Sequence, residues 1–280
     1  MKFEVRTMSS RDFGFAVQIT NTAGWGLVKE DFEFMRGLEP EGCFILLADG
    51  KRIGIATTIS FGKVGWVGNV IVGGAYRKKG AGAMLVRRCV DFLKTRGVRT
   101  VGLYAYMDTV SFYEKLGFRC DSEFLFMKKS AVVSAAQVKP SKAANTKLEE
   151  IVKFDNACFG ASRKKLLEPM LKSSNSFCYA KHEDKKIVGY VVSTVYDGKA
   201  ELGPLVCRQD RSGSAVALLK AVLLDLAGFE VSACVQRKDV ALVKFLKDSG
   251  FEEVFSVMRM FQGPVASKEC IYFAESLERG

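Results

Sequence analysis

The stretch from Asn69 to Gly97 constrains this chain most. NVIVGGAYRKKGAGAMLVRRCVDFLKTRG reads as a short strand, a turn, and a helix that begins on small residues. Val70, Ile71 and Val72 form a β-branched run stopped by Gly73 and Gly74. Leu85, Val86, Cys89, Val90, Phe92 and Leu93 recur at helical spacing, and Gly97 stands where a C-cap belongs. Between strand and helix lie Arg77, Lys78, Lys79, Gly80, Ala81, Gly82 and Ala83. Unpaired amides at a helix start, together with the helix dipole, favour an anion by about 0.3–1 kcal/mol. Glycines keep side chains out of the way, and the three cations add charge-assisted bonds. The segment therefore predicts a seat for a phosphorylated ligand, a diphosphate above all.

The pattern selects among such ligands. A dinucleotide fingerprint needs a third glycine where Leu85 stands, and a triphosphate loop needs Gly-Lys-Ser/Thr, which is absent. What is present is R-x-x-G-x-G (Arg77, Gly80, Gly82) after a V-x-V strand. Downstream, VRTVGLYA (98–105) reads as a strand with Val101, Leu103 and Ala105 on one face, and a short helix then leads into Tyr113-Glu-Lys-Leu-Gly117-Phe118. Upstream, Cys43 to Ala48 and Lys51 to Ser60 make a hairpin around Asp49-Gly50. In the order of these parts, residues 1–129 resemble the GNAT superfamily of N-acetyltransferases. The resemblance implies an α/β fold of α+β type, a mixed and mostly antiparallel twisted sheet flanked by helices. It also implies acetyl-CoA as co-substrate, its pyrophosphate on residues 77–83 and its pantetheine arm along Val70, Ile71 and Val72. Tyr113, in the Y-x-x-x-G-F signature, is implied to lie near the CoA thiol.

Past residue 146 the first half returns in degraded form. Ile53-Gly54-Ile55 is echoed by Val188-Gly189-Tyr190, Phe44–Ala48 by Phe177–Ala180, and Leu116-Gly117-Phe118 by Ser249-Gly250-Phe251. The echoes keep their order and nearly their spacing, which marks an internal duplication. Residues 130–146 have lost large apolar side chains and gained Ser, Ala, Lys and Pro, so they read as a linker. The expected units are a GNAT domain over 1–129 and a GNAT-like domain over 147–280. Where copy one has residues 77–83, copy two has Arg208-Gln-Asp210-Arg-Ser-Gly213-Ser, with one glycine and an aspartate that repels phosphate. Where copy one has Tyr113, copy two has Leu246. Copy two is therefore expected to keep the fold, lose the chemistry and wall the acceptor pocket.

The formal charge is +11, with 20 Lys and Arg against 13 Asp and Glu up to residue 129. Part of that excess suits an anionic cofactor, and no nucleic-acid-binding signature is present, so nucleic acid is not the expected partner. Eight cysteines without a C-x-x-C pair read as small core residues of a reduced, cytoplasmic protein. A single histidine, His182, argues against a zinc site, and no metal is expected. No apolar run is long enough to span a bilayer.

Acyl transfer to an amine also needs a group that takes the ammonium proton. Copy one has no acidic residue between Lys51 and Asp91, which leaves Asn69 holding a water, or Glu201 delivered from copy two. Asp108 is a candidate acceptor-binding residue or a helix N-cap. Tyr104 and Tyr106 suggest an aromatic-lined acceptor site, and Trp25, in a small-residue loop, suggests a pocket wall. The acceptor itself stays open between small-molecule and peptide amines, as does the choice of monomer or homodimer. The alternative reading is a non-catalytic acyl-CoA-sensing or protein-binding module.

Overall fold

The computed structural model describes residues 1–131, 148–264 and 270–280; nearly all of the expected linker lies outside them. In the first half, β1 (Phe3–Thr7) precedes α1 (Phe13–Asn21) and α2 (Lys29–Leu38). Strands β2 (Cys43–Ala48), β3 (Lys51–Ser60) and β4 (Val64–Val72) follow, then α3 (Ala81–Thr95), β5 (Thr100–Tyr106), α4 (Val110–Glu114) and β6 (Arg119–Lys129). The second half repeats the series with α5 (Leu148–Phe159), α6 (Lys164–Lys172), β7 (Ser176–Glu183), β8 (Lys186–Tyr196) and β9 (Lys199–Cys207). It continues through α7 (Ser212–Asp225), β10 (Glu230–Gln236), α8 (Val240–Asp248) and β11 (Glu252–Gln262), and adds β12 (Ile271–Phe273).

Local chemistry sets most of these boundaries. Asp49 (φ 46°) and Gly50 (φ 79°) supply the two left-handed residues of a tight β2–β3 hairpin. Helix α3 starts after Gly80 (φ 83°) and stops before Gly97 (φ 81°), both in the left-handed region that glycine adopts without strain. Its buried stripe, Leu85, Val86, Cys89, Val90, Phe92 and Leu93, packs on Val101, Leu103 and Ala105 of β5. The β5 alternation is as read from sequence, although the strand begins two residues later and ends one later.

All twelve strands form one sheet, ordered β1-β2-β3-β4-β5-β11-β6-β10-β12-β9-β8-β7. At its centre the halves exchange strands. β11 of the second half pairs with β5 of the first, β6 of the first pairs with β10 of the second, and β6 and β11 pair with each other. The side chains explain the exchange: Leu125 and Met127 of β6 lie in the core of the second half, while Met260 of β11 lies in the core of the first. The sheet runs across the boundary at residue 129 that the sequence led us to expect.

Candidate active site

β4 and β5 run parallel but pair only at Val64–Thr100, Gly65–Val101 and Trp66–Gly102. Beyond that point they diverge. Asn69, with φ 52°, sits in a β-bulge where the β3–β4 register slips, and a bulge bends its strand away from the ladder. Among the described residues no strand fills the resulting wedge between β4 and β5.

The wedge opens toward the start of α3. The amides of Ala81, Gly82 and Ala83 are the ones a helix leaves without internal partners, and no side chain caps them. Arg77 reaches back through Nε to the Val72 carbonyl at 3.0 Å, fixing the turn to the end of β4. Lys79 similarly bonds the Ala75 carbonyl. Two of the three cations thus brace the loop, while the loop stays exposed around Lys78 and Gly80. A Cβ on Gly82 would approach the ring of Phe112 at 3.4 Å, so α4 faces the α3 start across the mouth of the wedge. Residues 77–83 and the β4 backbone therefore fit an extended, phosphorylated carrier.

Tyr113 is 8 % exposed and packs between Phe112 and Phe118, and its hydroxyl makes no hydrogen bond among the described residues. Burial, with Cys89 nearby, lifts its pKa well above the usual phenol, so it stays protonated as a donor must. Asp108 lies exposed in a 3-10 turn before α4 and does not cap it; Thr109 occupies that position. Tyr104, on the same strand face as Tyr106, is wedged between Trp66 (5.2 Å) and Phe124 (5.1 Å). Tyr106, two residues on, is half-buried beside the ring of Phe255, and burial raises its pKa while Trp25 opposes the rise.

The second half builds the same wedge and closes it. β9 and β10 pair from Lys199–Glu230 to Leu202–Ala233, then part. β12 enters the gap: Ile271 and Phe273 pair with Val206 and Leu205 on one side, and Phe273 with Val235 on the other. At the start of α7, Asp210 binds Arg208 and Arg211, and Arg211 also binds Glu183, so both arginines are engaged by carboxylates.

From β12 the chain runs on to the first wedge. Trp66 Nε1 donates to the Leu277 carbonyl, and the backbone of Glu278 lies so close to Gly68 that a Cβ there would sit 2.5 Å from the Glu278 oxygen. Arg163, fully buried and paired with Asp155 at 2.7 Å, donates to the Gly280 carbonyl and anchors the tail. Glu201 leaves β9 on the face opposite Ala200 and Leu202, which are in the core. Its side chain is 35 % exposed and lies 3.9 Å from Arg279. Burial pushes its pKa up to about 8; Arg279 opposes this, while Glu278, Glu275 and Asp31 add to it.

Two family models match this chain, "Acetyltransferase (GNAT) family" over residues 12–118 and "Acetyltransferase (GNAT) domain" over residues 151–272. The chain belongs to the GNAT superfamily, as a tandem acyltransferase. Holothin acyltransferase of Pseudoalteromonas sp. (strain SANK 73390) is 25 % identical over 264 residues, 91 % of this chain and 87 % of that one. A Pyrococcus horikoshii protein of solved structure matches 99 % of this chain and 96 % of its own, with TM-score 0.76 and 22 % identity. A tandem GNAT protein from the clavulanic acid biosynthesis pathway matches 94 % and 99 %, with TM-score 0.59 and 12 % identity.

Within this GNAT frame Asn69 sits at the β4 bulge, and the charge of Glu278, whose backbone abuts Gly68, acts on both Tyr106 and Glu201. Sequence reading missed the tail residues Glu275, Glu278 and Arg279, along with Asp31 and Tyr196, whose charges or rings face Glu201. The only signal of the three tail residues was a short charged run, Glu275 to Arg279, with no motif to place it.

Proposed function

We propose that this GNAT protein is an acetyl-CoA-dependent N-acetyltransferase that acetylates a primary amine by direct attack in a ternary complex. The first half holds the carrier and the second walls the acceptor cleft. One observation carries the reading: of two equivalent wedges, the one with bare helix amides is entered by no strand among the described residues, and the one with Asp210 is filled by β12. Similarity to an acyltransferase along nearly the whole chain supports it.

Acetyl-CoA, when bound, supplies the acyl group as a thioester. The main chain of Val70, Ile71 and Val72 orients the carrier arm, and residues 77–83 hold its phosphates. Holding both reactants in one cleft can account for about 7–11 kcal/mol of the barrier. A main-chain N–H beside the bulge polarises the carbonyl, an effect worth about 2.7–4 kcal/mol. Glu201 takes the ammonium proton of the acceptor, directly or through a water at Asn69, and Tyr113 holds the proton destined for the departing sulfur.

Time-resolved release of CoA thiol with a panel of primary amines tests this. Turnover is expected with at least one amine, and Tyr113→Phe should slow it about tenfold or more. Tight CoA binding with no turnover on any amine would instead favour an acyl-CoA sensor.

A further inference from the structure

In a chain of net charge +11, one cleft collects carboxylates. Arg279 lies 3.9 Å from Glu201 and 2.8 Å from Glu275, and the charges of Glu275, Glu278 and Asp31 all act on Glu201, with Arg279 the one cation opposing them among the described residues. That cation is already engaged, since Glu275 grips it through both oxygens at 2.8 and 3.1 Å. Glu278 forms no hydrogen bond or salt bridge among the described residues, and its charge acts on Arg279 as well as on Tyr106, Tyr196 and Glu201. Its backbone is seated against Gly68, one residue from the bulge at Asn69.

A second, independent observation lies at that bulge. Asn69 is 7 % exposed; its Nδ2 donates to Thr57 at 3.2 Å, and its Oδ1 has no partner. A buried carbonyl oxygen without a donor costs stability, so a donor entering the cleft, an amine N–H or a water, is held there. Asn69 shares with Thr57 the face of the sheet that also carries Ile55, packed on α1 and α2, and Ile59, packed on α6. The Asn69 carbonyl oxygen and the Glu278 carboxylate are thus two acceptors without partners among the described residues, carried on segments that meet at Gly68. Tyr106, Trp25 and the half-exposed Tyr196 supply ring surface, which also favours a cation.

Resting on the N-acetyltransferase reading, we propose that the acceptor is an aliphatic diamine or polyamine. One amine is acetylated beside Asn69 and Glu201, and the second, still protonated, is held by Glu278. Glu278 is on this view a specificity-determining residue contributed by the tail.

The test compares diaminopropane, diaminobutane and diaminopentane with the monoamines of equal chain length on the full chain. Wild type should favour the best diamine over its monoamine by about tenfold or more in kcat/KM, through KM, the scale of one charge-assisted bond. Glu278→Gln should erase most of that ratio, and Glu278→Asp should restore part of it. Equal kcat/KM for diamines and monoamines in wild type, or an unchanged ratio in Glu278→Gln, overturns the proposal and leaves N-acetylation intact. Turnover of neither class overturns both.

Discussion

Glu201 is the residue on which the proton balance turns. It must be ionised to accept a proton, and its pKa of about 8 means that the ionised form accumulates only as pH rises through that value. We therefore expect kcat/KM to climb with pH along a limb centred near 8 and then level off, and Glu201→Gln to lose both that limb and about a hundredfold in rate. A limb that persists in Glu201→Gln would assign it to another group. Only half of this was legible in the sequence. The alternation of Ala200, Glu201 and Leu202 puts the glutamate off the core face, as any strand would. Its elevated pKa comes first from burial, with Glu278, Glu275 and Asp31, all far away in sequence, adding to it, and no local pattern encodes that encounter. Tyr104 and Tyr106 carry the same lesson: they share a strand face, and their ring neighbours, Trp66 and Phe124 for one and Phe255 for the other, come from distant parts of the chain.

Among the elements, the start of α3 was the most legible part, because a strand, a left-handed glycine and a helix are local features. A Cβ on Gly82 would make only ordinary contacts with Phe112 and Val72, so space does not exclude a side chain there. Charge does. Gly82→Ala should retain CoA affinity within a few-fold, whereas Gly82→Asp should lower it about a hundredfold or more by setting a carboxylate against the phosphates. Equal affinity in the two variants, measured by competition for a labelled CoA, would move the phosphates elsewhere. β12 was not legible. Three residues carry no periodicity, and their strand character comes from the edges of β9 and β10 that they fill.

Across the whole molecule, duplication was visible in sequence but reciprocity was not. Repeated Gly and Phe positions show two copies; the exchange of β6 and β11 depends on which core accepts Met260 and which accepts Met127. The exchange makes one sheet of two halves and aims the tail of the second at the wedge of the first. From this asymmetry follows the central claim, that a single carrier binds per chain, in the first half. Calorimetric titration of the full chain with acetyl-CoA measures it most directly. The account predicts one site per chain, lost in Gly82→Asp; two sites per chain, or no heat with folded protein, would contradict it.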